Sequence, residues 1–241
     1  MTAVGASAPE VGWVTFGTLK ADSPRTAAAL VESITREVTA WVRHTPGFVS
    51  ARTHVSVDGT TVVNRGQWES ETHYREFFQE NPAAAVLRSL ADHPGVLEAT
   101  VFAGTEAPGL EGPAAGADPG MVAVATRHLA GGDSARALME LLADSGEWKR
   151  SFPGFISATP HFSEDGAAFV NYPMWVSEVA YRSWMADPRI GEGQAEIARL
   201  EVAPPQYLVC TVASHIDAAP AGSAGTAETA ETADTVNRTT T

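Results

Sequence analysis

Apolar and polar positions change period along this chain in an order that occurs twice. Residues 13–20 (WVTFGTLK) and 121–129 (MVAVATRHL) are rich in β-branched and aromatic side chains and predict strands. After the first, Asp22-Ser23-Pro24 reads as a cap with proline in the first turn, and Ala27, Leu30, Val31, Ile34, Val38 and Trp41-Val42 follow at helical spacing. After the second, Asp133 is predicted to cap a helix carrying Ala137, Leu138, Leu141, Leu142 and Trp148. A Pro-Gly pair then ends each helix and opens a hairpin turning at Asp58-Gly59 or Asp165-Gly166. A second, broken helix begins near Glu71 and Glu178 and meets Asn81-Pro82 and Asp187-Pro188. Last strands are predicted at 95–105 and 206–213.

The recurrence is visible residue by residue. Residues 46–75 align without a gap on residues 153–182 at an offset of 107, and 16 of the 30 positions are identical. Shared features include Pro-Gly-Phe, a histidine, Asp-Gly, Val-Asn, a Trp four residues after the Asn and a Tyr six after the Trp. The element order is β-α-β-β-α-β in each copy, a ferredoxin-like unit. The fold class is therefore α+β, with two tandem ferredoxin-like units facing each other as a pseudo-dimer, in the manner of a dimeric α+β barrel. The expected division is a first unit at 1–106, a Gly/Pro-rich linker at 107–119, a second unit at 120–216 and a disordered tail at 217–241.

Hairpin geometry decides which side chains meet. With Val57-Asp58-Gly59 as a three-residue turn, Ser56 opposes Thr60, and Phe48, Ser50, Arg52 and His54 share a face with Val62, Asn64, Gly66 and Trp68. The other face, with Val49, Ala51, Val55 and Val63, is then a dry packing surface. A two-residue turn instead sets His54 opposite Val63, on that dry face. Tyr74 and Arg88 sit on the second helical segment, so they reach Asn64 and Trp68 only if that face looks toward the helices, which places a pocket between sheet and helices.

Composition narrows the chemistry. With 29 acidic against 16 basic residues, the net charge of −13 argues against a nucleic-acid backbone or an anionic membrane surface as partner. Cys210 is the lone cysteine, so neither a disulfide framework nor a multi-cysteine zinc site is expected. No apolar run is long enough for a transmembrane helix, and MTAVGASAPE carries no secretory pattern, so a cytoplasmic location is the expectation. No Gly-rich dinucleotide fingerprint, P-loop, H-E-x-x-H or C-x-x-C is present.

On Asn-x3-Trp-x5-Tyr within this frame, the sequence resembles the antibiotic biosynthesis monooxygenases, in particular the quinone-forming subgroup that oxidises aromatic polyketides. The resemblance covers nearly all of the first copy. It implies dimeric α+β barrels, molecular oxygen as co-substrate, no cofactor and no metal. It also implies catalytic roles for His54, Asn64, Trp68, Tyr74 and Arg88, with Phe48, Arg52 and Phe78 toward the substrate. Trp68 would flank the rings, Asn64 would donate to a substrate or peroxide oxygen, Tyr74 and Arg88 would stabilise an enolate or phenolate, and His54 would assist proton transfer. The second copy keeps His161, Asn171, Trp175 and Tyr181, but its counterpart of Arg88 is Gln194, with Arg199 as a substitute, and Pro173 and Met174 replace Gly66 and Gln67. The first copy is thus the expected working site. The implied partner is a small aromatic polyketide oxidised to a quinone, and the tandem chain could pair again as a homodimer. A polyketide cyclase on the same barrel and a non-catalytic polyketide-binding protein are the alternatives. Haem degradation, known from related barrels, would need a ligating histidine where Phe78 stands.

Overall fold

In the computed structural model, which describes residues 11–144 and 147–220, β1 (Trp13–Ala21) leads directly into a capped helix. The Ser23 hydroxyl accepts from the Thr26 N–H, Pro24 stands at the first helical position, and α1 (Pro24–Ala40) buries Ala27, Leu30, Ile34 and Val38 along one stripe. The hairpin β2 (Phe48–Ser56) and β3 (Thr61–Trp68) follows, then α2 (Glu71–Glu80), α3 (Pro82–Ser89) and β4 (Val96–Glu106). Asn81 is extended, as a residue before proline is pushed to be, which breaks α2 from α3. A short β5 (Leu110–Glu111) precedes the second copy: β6 (Met121–Leu129), α4 (Gly132–Asp144), β7 (Phe155–Phe162), β8 (Ala168–Trp175), α5 (Glu178–Met185), α6 (Gln194–Ala198) and β9 (Glu201–Asp217). Asp133 is not the cap of α4, as the sequence predicts, but lies within its first turn.

The strands form one closed sheet. Their order is β4-β1-β3-β2-β9-β6-β8-β7, and β7 pairs back onto β4, which closes the ring of the two ferredoxin-like units. Each unit contributes four neighbouring strands, and each last strand crosses to the hairpin of the other copy. Val14, Phe16, Val63, Val122, Val124, Val170 and Tyr172 pack inside the barrel, and the helices cover the outside.

The segment expected to be a linker is part of this wall. Ala107 N–H donates to the Pro160 carbonyl, Leu110 pairs with Ala158, Gly112 N–H donates to the Ile156 carbonyl and Ala114 N–H to that of Phe155. The chain thus follows the β7 edge well past β4. The far junction is built alike: β9 runs along β2 to Asp217, and Ala218 N–H continues the pairing to the Val49 carbonyl. The expected tail therefore begins later than residue 217, and its remainder, 221–241, lies outside the described residues.

The hairpin register differs from the three-residue-turn expectation. Val55 pairs with Val62, Thr53 with Asn64 and His54 with Val63, so a four-residue loop, 57–60, joins the strands. Asp58 explains the extra residue: its carboxylate accepts from the Ser56 hydroxyl at 2.5 Å, the Thr60 N–H at 3.0 Å and the Thr60 hydroxyl at 2.9 Å. Thr60 is held in the loop and cannot pair with Ser56, whose hydroxyl instead accepts from the Thr61 N–H at 2.8 Å. Asp165 and Ser163 repeat the device in the second copy.

Candidate functional site

Because side chains alternate along a strand, the one-residue change moves half of the predicted site to the other side of the sheet. His54, Arg52 and Ser50 face the barrel interior with Val63, Arg65 and Gln67. His54 is fully buried there, and its Nδ1 lies 3.0 Å from the Val63 carbonyl. A carbonyl only accepts, so Nδ1 carries the proton and Nε2 accepts from the Tyr172 hydroxyl at 2.7 Å. Burial lowers the His54 pKa to about 4. His161 is also in the interior, against Phe16 and Arg65. Arg52 donates to the Met174 sulfur at 3.3 Å. The barrel interior on this side is accordingly not dry: it carries a polar chain of His54, Tyr172, Arg65, Glu106 and His161. His54, His161 and Arg52 are therefore separated by the sheet from Asn64 and Trp68.

Asn64, Trp68, Tyr74 and Phe48 do come together, between the sheet and the helices. Trp68 lies 5.3 Å from Phe48, 5.8 Å from Tyr74 and 5.3 Å from Phe77, and Phe78 lies tilted against Tyr74 at 4.5 Å. Trp68, Phe77, Ile34, Leu30, Val42 and Ala84 belong to one packed cluster, to which Leu87 and Leu90 add from α3 and the turn after it. The Asn64 amide oxygen accepts from the Thr53 hydroxyl at 3.0 Å. Exposed Arg88 donates to the Phe78 carbonyl, tying α3 to α2.

The second copy is built on the same plan with a gap in it. Its helix-side core is split into two clusters, one around Leu138, Phe169 and Ile197, the other around Phe155, Trp175 and Trp184. A cavity of about 840 Å³ lies between them, within the range of small-molecule sites. Its walls include Asn171, Trp175, Tyr181, Trp184, Phe169 and Met139. Trp175 lies 5.0 Å from Tyr181 and 5.5 Å from Trp184. The origin of the gap is the region after α5, where a single turn (Pro188–Gly191) and the five-residue α6 replace the eight-residue α3.

Three uncharged polar groups around this cavity, on Asn171, Trp175 and Tyr181, are unengaged among the described residues. Asn171 faces Pro160 where Asn64 faces Thr53, so its amide has no hydrogen-bond partner among the described residues. The Trp175 indole N–H is buried and likewise unpaired. Burial raises the Tyr181 phenol above its ordinary value, which keeps it a donor. Gln194 lines the cavity and donates to the Ile190 carbonyl, whereas Arg199 is exposed and lies outside it. Trp184 and Lys149, both in the wall, escape the sequence reading: Trp184 stands at the position of Phe77 and reads as core, and Lys149 replaces Val42. Among the described residues, no group of three or more His, Cys, Asp or Glu side chains is arranged as a metal site, and no helix is long and apolar enough to cross a membrane.

The chain is similar to a curated protein, the tetracenomycin-F1 monooxygenase of Streptomyces glaucescens, 40% identical over 75 residues, which is 31% of this chain and 65% of that protein. The chain thus spans just under two thirds of that relative's length. Among solved structures, an anthrone oxidase-like protein shares the fold at a TM-score of 0.72 and 17% identity, over 88% of this chain and 95% of that one. The sequence likeness covers part of the chain, and the fold likeness nearly all of it. The monooxygenase ActVA-Orf6 of Streptomyces coelicolor, solved with nanaomycin D, is 44% identical over 39% of this chain and 87% of its own, at a TM-score of 0.37. No family profile matches the sequence. Within this shared fold, the two helix-side spaces of this chain differ: the core of one is a single cluster, and that of the other is split by a cavity.

Proposed function

We propose that the protein is a cofactor-independent monooxygenase that oxidises an anthrone or phenolic aromatic polyketide to a quinone, and that the reaction takes place in the second copy. The observation that carries this reading is the cavity walled by Trp175 and Trp184, with the Asn171 amide, the Trp175 indole and the Tyr181 phenol unpaired around it. The resemblance to a tetracenomycin-F1 monooxygenase supports the substrate class. Asn64, Trp68, Tyr74 and Arg88 are then the structural counterparts of this site, with Phe48 and Phe78 as packing residues.

Flat rings would pack against the aromatic wall that Trp175 and Trp184 form, and donors from Asn171 and Tyr181 stabilise the negative oxygen that forms when the substrate loses a proton. The resulting enolate is electron-rich enough to reduce oxygen itself. Anthrone plus O2 gives the quinone plus water: one oxygen atom forms the new carbonyl, the other leaves as water, and the substrate supplies the electrons. The buried histidines take no part, since neither faces the cavity.

The test is turnover of a polycyclic anthrone by metal-free protein, followed by oxygen uptake and quinone absorbance. Asn171→Ala and Trp175→Phe are expected to lower kcat/KM by about ten- to a hundredfold, whereas Trp68→Phe stays within about threefold. Larger losses from Trp68→Phe would move the reaction to the first copy. Conversion that continues under argon would sink the oxygenase reading and leave the cyclase.

A further inference from the structure

Four cationic side chains line the cavity: Arg127, Lys149, Arg150 and Arg189. Three are already neutralised. Arg127 pairs with Glu201 and donates to the Tyr207 hydroxyl, Arg150 lies 3.6 Å from Glu147, and Arg189 holds Asp187 at 2.7 Å while covering the Trp148 ring. Lys149 has no ion pair among the described residues. The cavity's own carboxylates do not serve it, since Glu147 is engaged by Arg150 and Glu192 acts on Arg189. Burial without a counter-charge holds the Lys149 ammonium below the ordinary lysine range.

Comparison of the copies gives this lysine its meaning. Lys149 and Val42 occupy the same position at the offset of 107, each on the turn after the first helix of its copy. Val42 is 3% exposed and fills the packed cluster around Trp68. The copy that is packed therefore has an aliphatic plug where the copy with a cavity has a charge. An uncompensated ammonium in an apolar wall destabilises the fold unless a ligand completes it.

We propose that Lys149 is the charge anchor of the cavity, and that the ligand it holds is a polycyclic aromatic anion whose ionised oxygen meets the ammonium. This rests on the reading of the second copy as the ligand site and narrows it to acidic aromatics. Lys149 takes up the electrostatic role for which the first copy's Arg88 would have been the candidate, from a different element. The Tyr181 phenol and the Asn171 amide supply uncharged donors, so the anchor also selects against neutral ring systems of the same shape.

The test uses fully oxidised probes, so that no turnover is involved. Binding of an anthraquinone carboxylate and of its neutral carboxamide is followed by quenching of tryptophan fluorescence in the intact protein, in Lys149→Met and in Lys149→Arg. The wild type is expected to prefer the carboxylate by about tenfold or more, Lys149→Met to bring the two within about threefold without weakening the carboxamide, and Lys149→Arg to keep the preference. A dihydroxyanthraquinone supplies a second readout: its phenolate colour should appear at lower pH when bound to the wild type than to Lys149→Met. Equal affinity for the two probes in the wild type, or a preference that survives Lys149→Met, overturns the anchor. A chain that shows the preference yet fails to oxidise an anthrone retains the anchor and loses the oxygenase reading; one that oxidises anthrones without the preference does the reverse.

Discussion

His54 is a fully buried imidazole with both nitrogens satisfied, and its burial ties it to acid sensitivity rather than to catalysis. Its pKa falls from 6.5 to about 4 in the fold, so at pH 7 it is neutral in both the folded and unfolded states and contributes nothing. As pH drops below the unfolded value, only the unfolded chain takes up the proton, and stability is lost until the folded value is reached. The loss across that window is about 3 kcal/mol. Denaturant midpoints measured from pH 7 down to pH 4 should decline accordingly, and His54→Gln should flatten the decline. Part of the slope will persist, because burial lowers His161 as well. An unchanged slope in the variant would show that another group titrates. Of the predicted site residues, Asn64, Trp68 and Tyr74 were legible together because Trp and Tyr are fixed in spacing by the strand-to-helix turn. His54 was not, because its side of the sheet depends on whether Thr60 belongs to strand or loop, and the Asp58 carboxylate decides that.

Elements tell a similar story about glycine. The stretch 107–119 reads as a linker from its composition, yet Gly109 and Gly112 are there for contact. A Cβ on Gly109 would stand 2.4 Å from the Ala158 carbonyl oxygen, and one on Gly112 would stand 2.3 Å from that of Phe155. Both positions lie along the β7 edge, where the chain passes too close for a side chain. Gly112→Ala is expected to cost about 1–3 kcal/mol by forcing that edge apart. Gly132→Ala, at the open start of α4, should be neutral or stabilising by up to about 1 kcal/mol. Urea titration of both variants checks the contrast, and similar losses would mean that the edge pairing contributes little. Helix starts, the Asn81-Pro82 break and the repeat were readable from local rules. A glycine excluded by a backbone far along the chain looks no different in sequence from a flexible one.

At the scale of the whole molecule, the barrel was legible from the repeat, because an apolar sheet face without a partner needs a second copy to cover it. The repeat also showed the copies to be unequal, but not how their unlike residues meet inside the barrel. Arg65 and Tyr172 occupy the same position in the two units, and inside the barrel the Arg65 guanidinium lies over the Tyr172 ring at 4.8 Å. Arg65 also holds Glu106 at 3.1 Å, and its pKa is lowered chiefly by burial. Tyr172→Arg would place a second guanidinium against the first and remove the donor to His54. It is expected to destabilise the protein by about 3 kcal/mol or more, whereas Tyr172→Phe should cost about 1–2 kcal/mol for the lost hydrogen bond. Thermal unfolding of the two variants separates the charge from the hydroxyl.

The Arg65–Tyr172 contact also says something about ancestry. A subunit that pairs with its own twin receives every substitution twice, so an arginine on the symmetry axis must face an arginine. Joining the two copies in one chain lifts that constraint, and each half can then accept changes that its counterpart never sees. Val42 could remain in a packed cluster while its counterpart, Lys149, came to line a cavity.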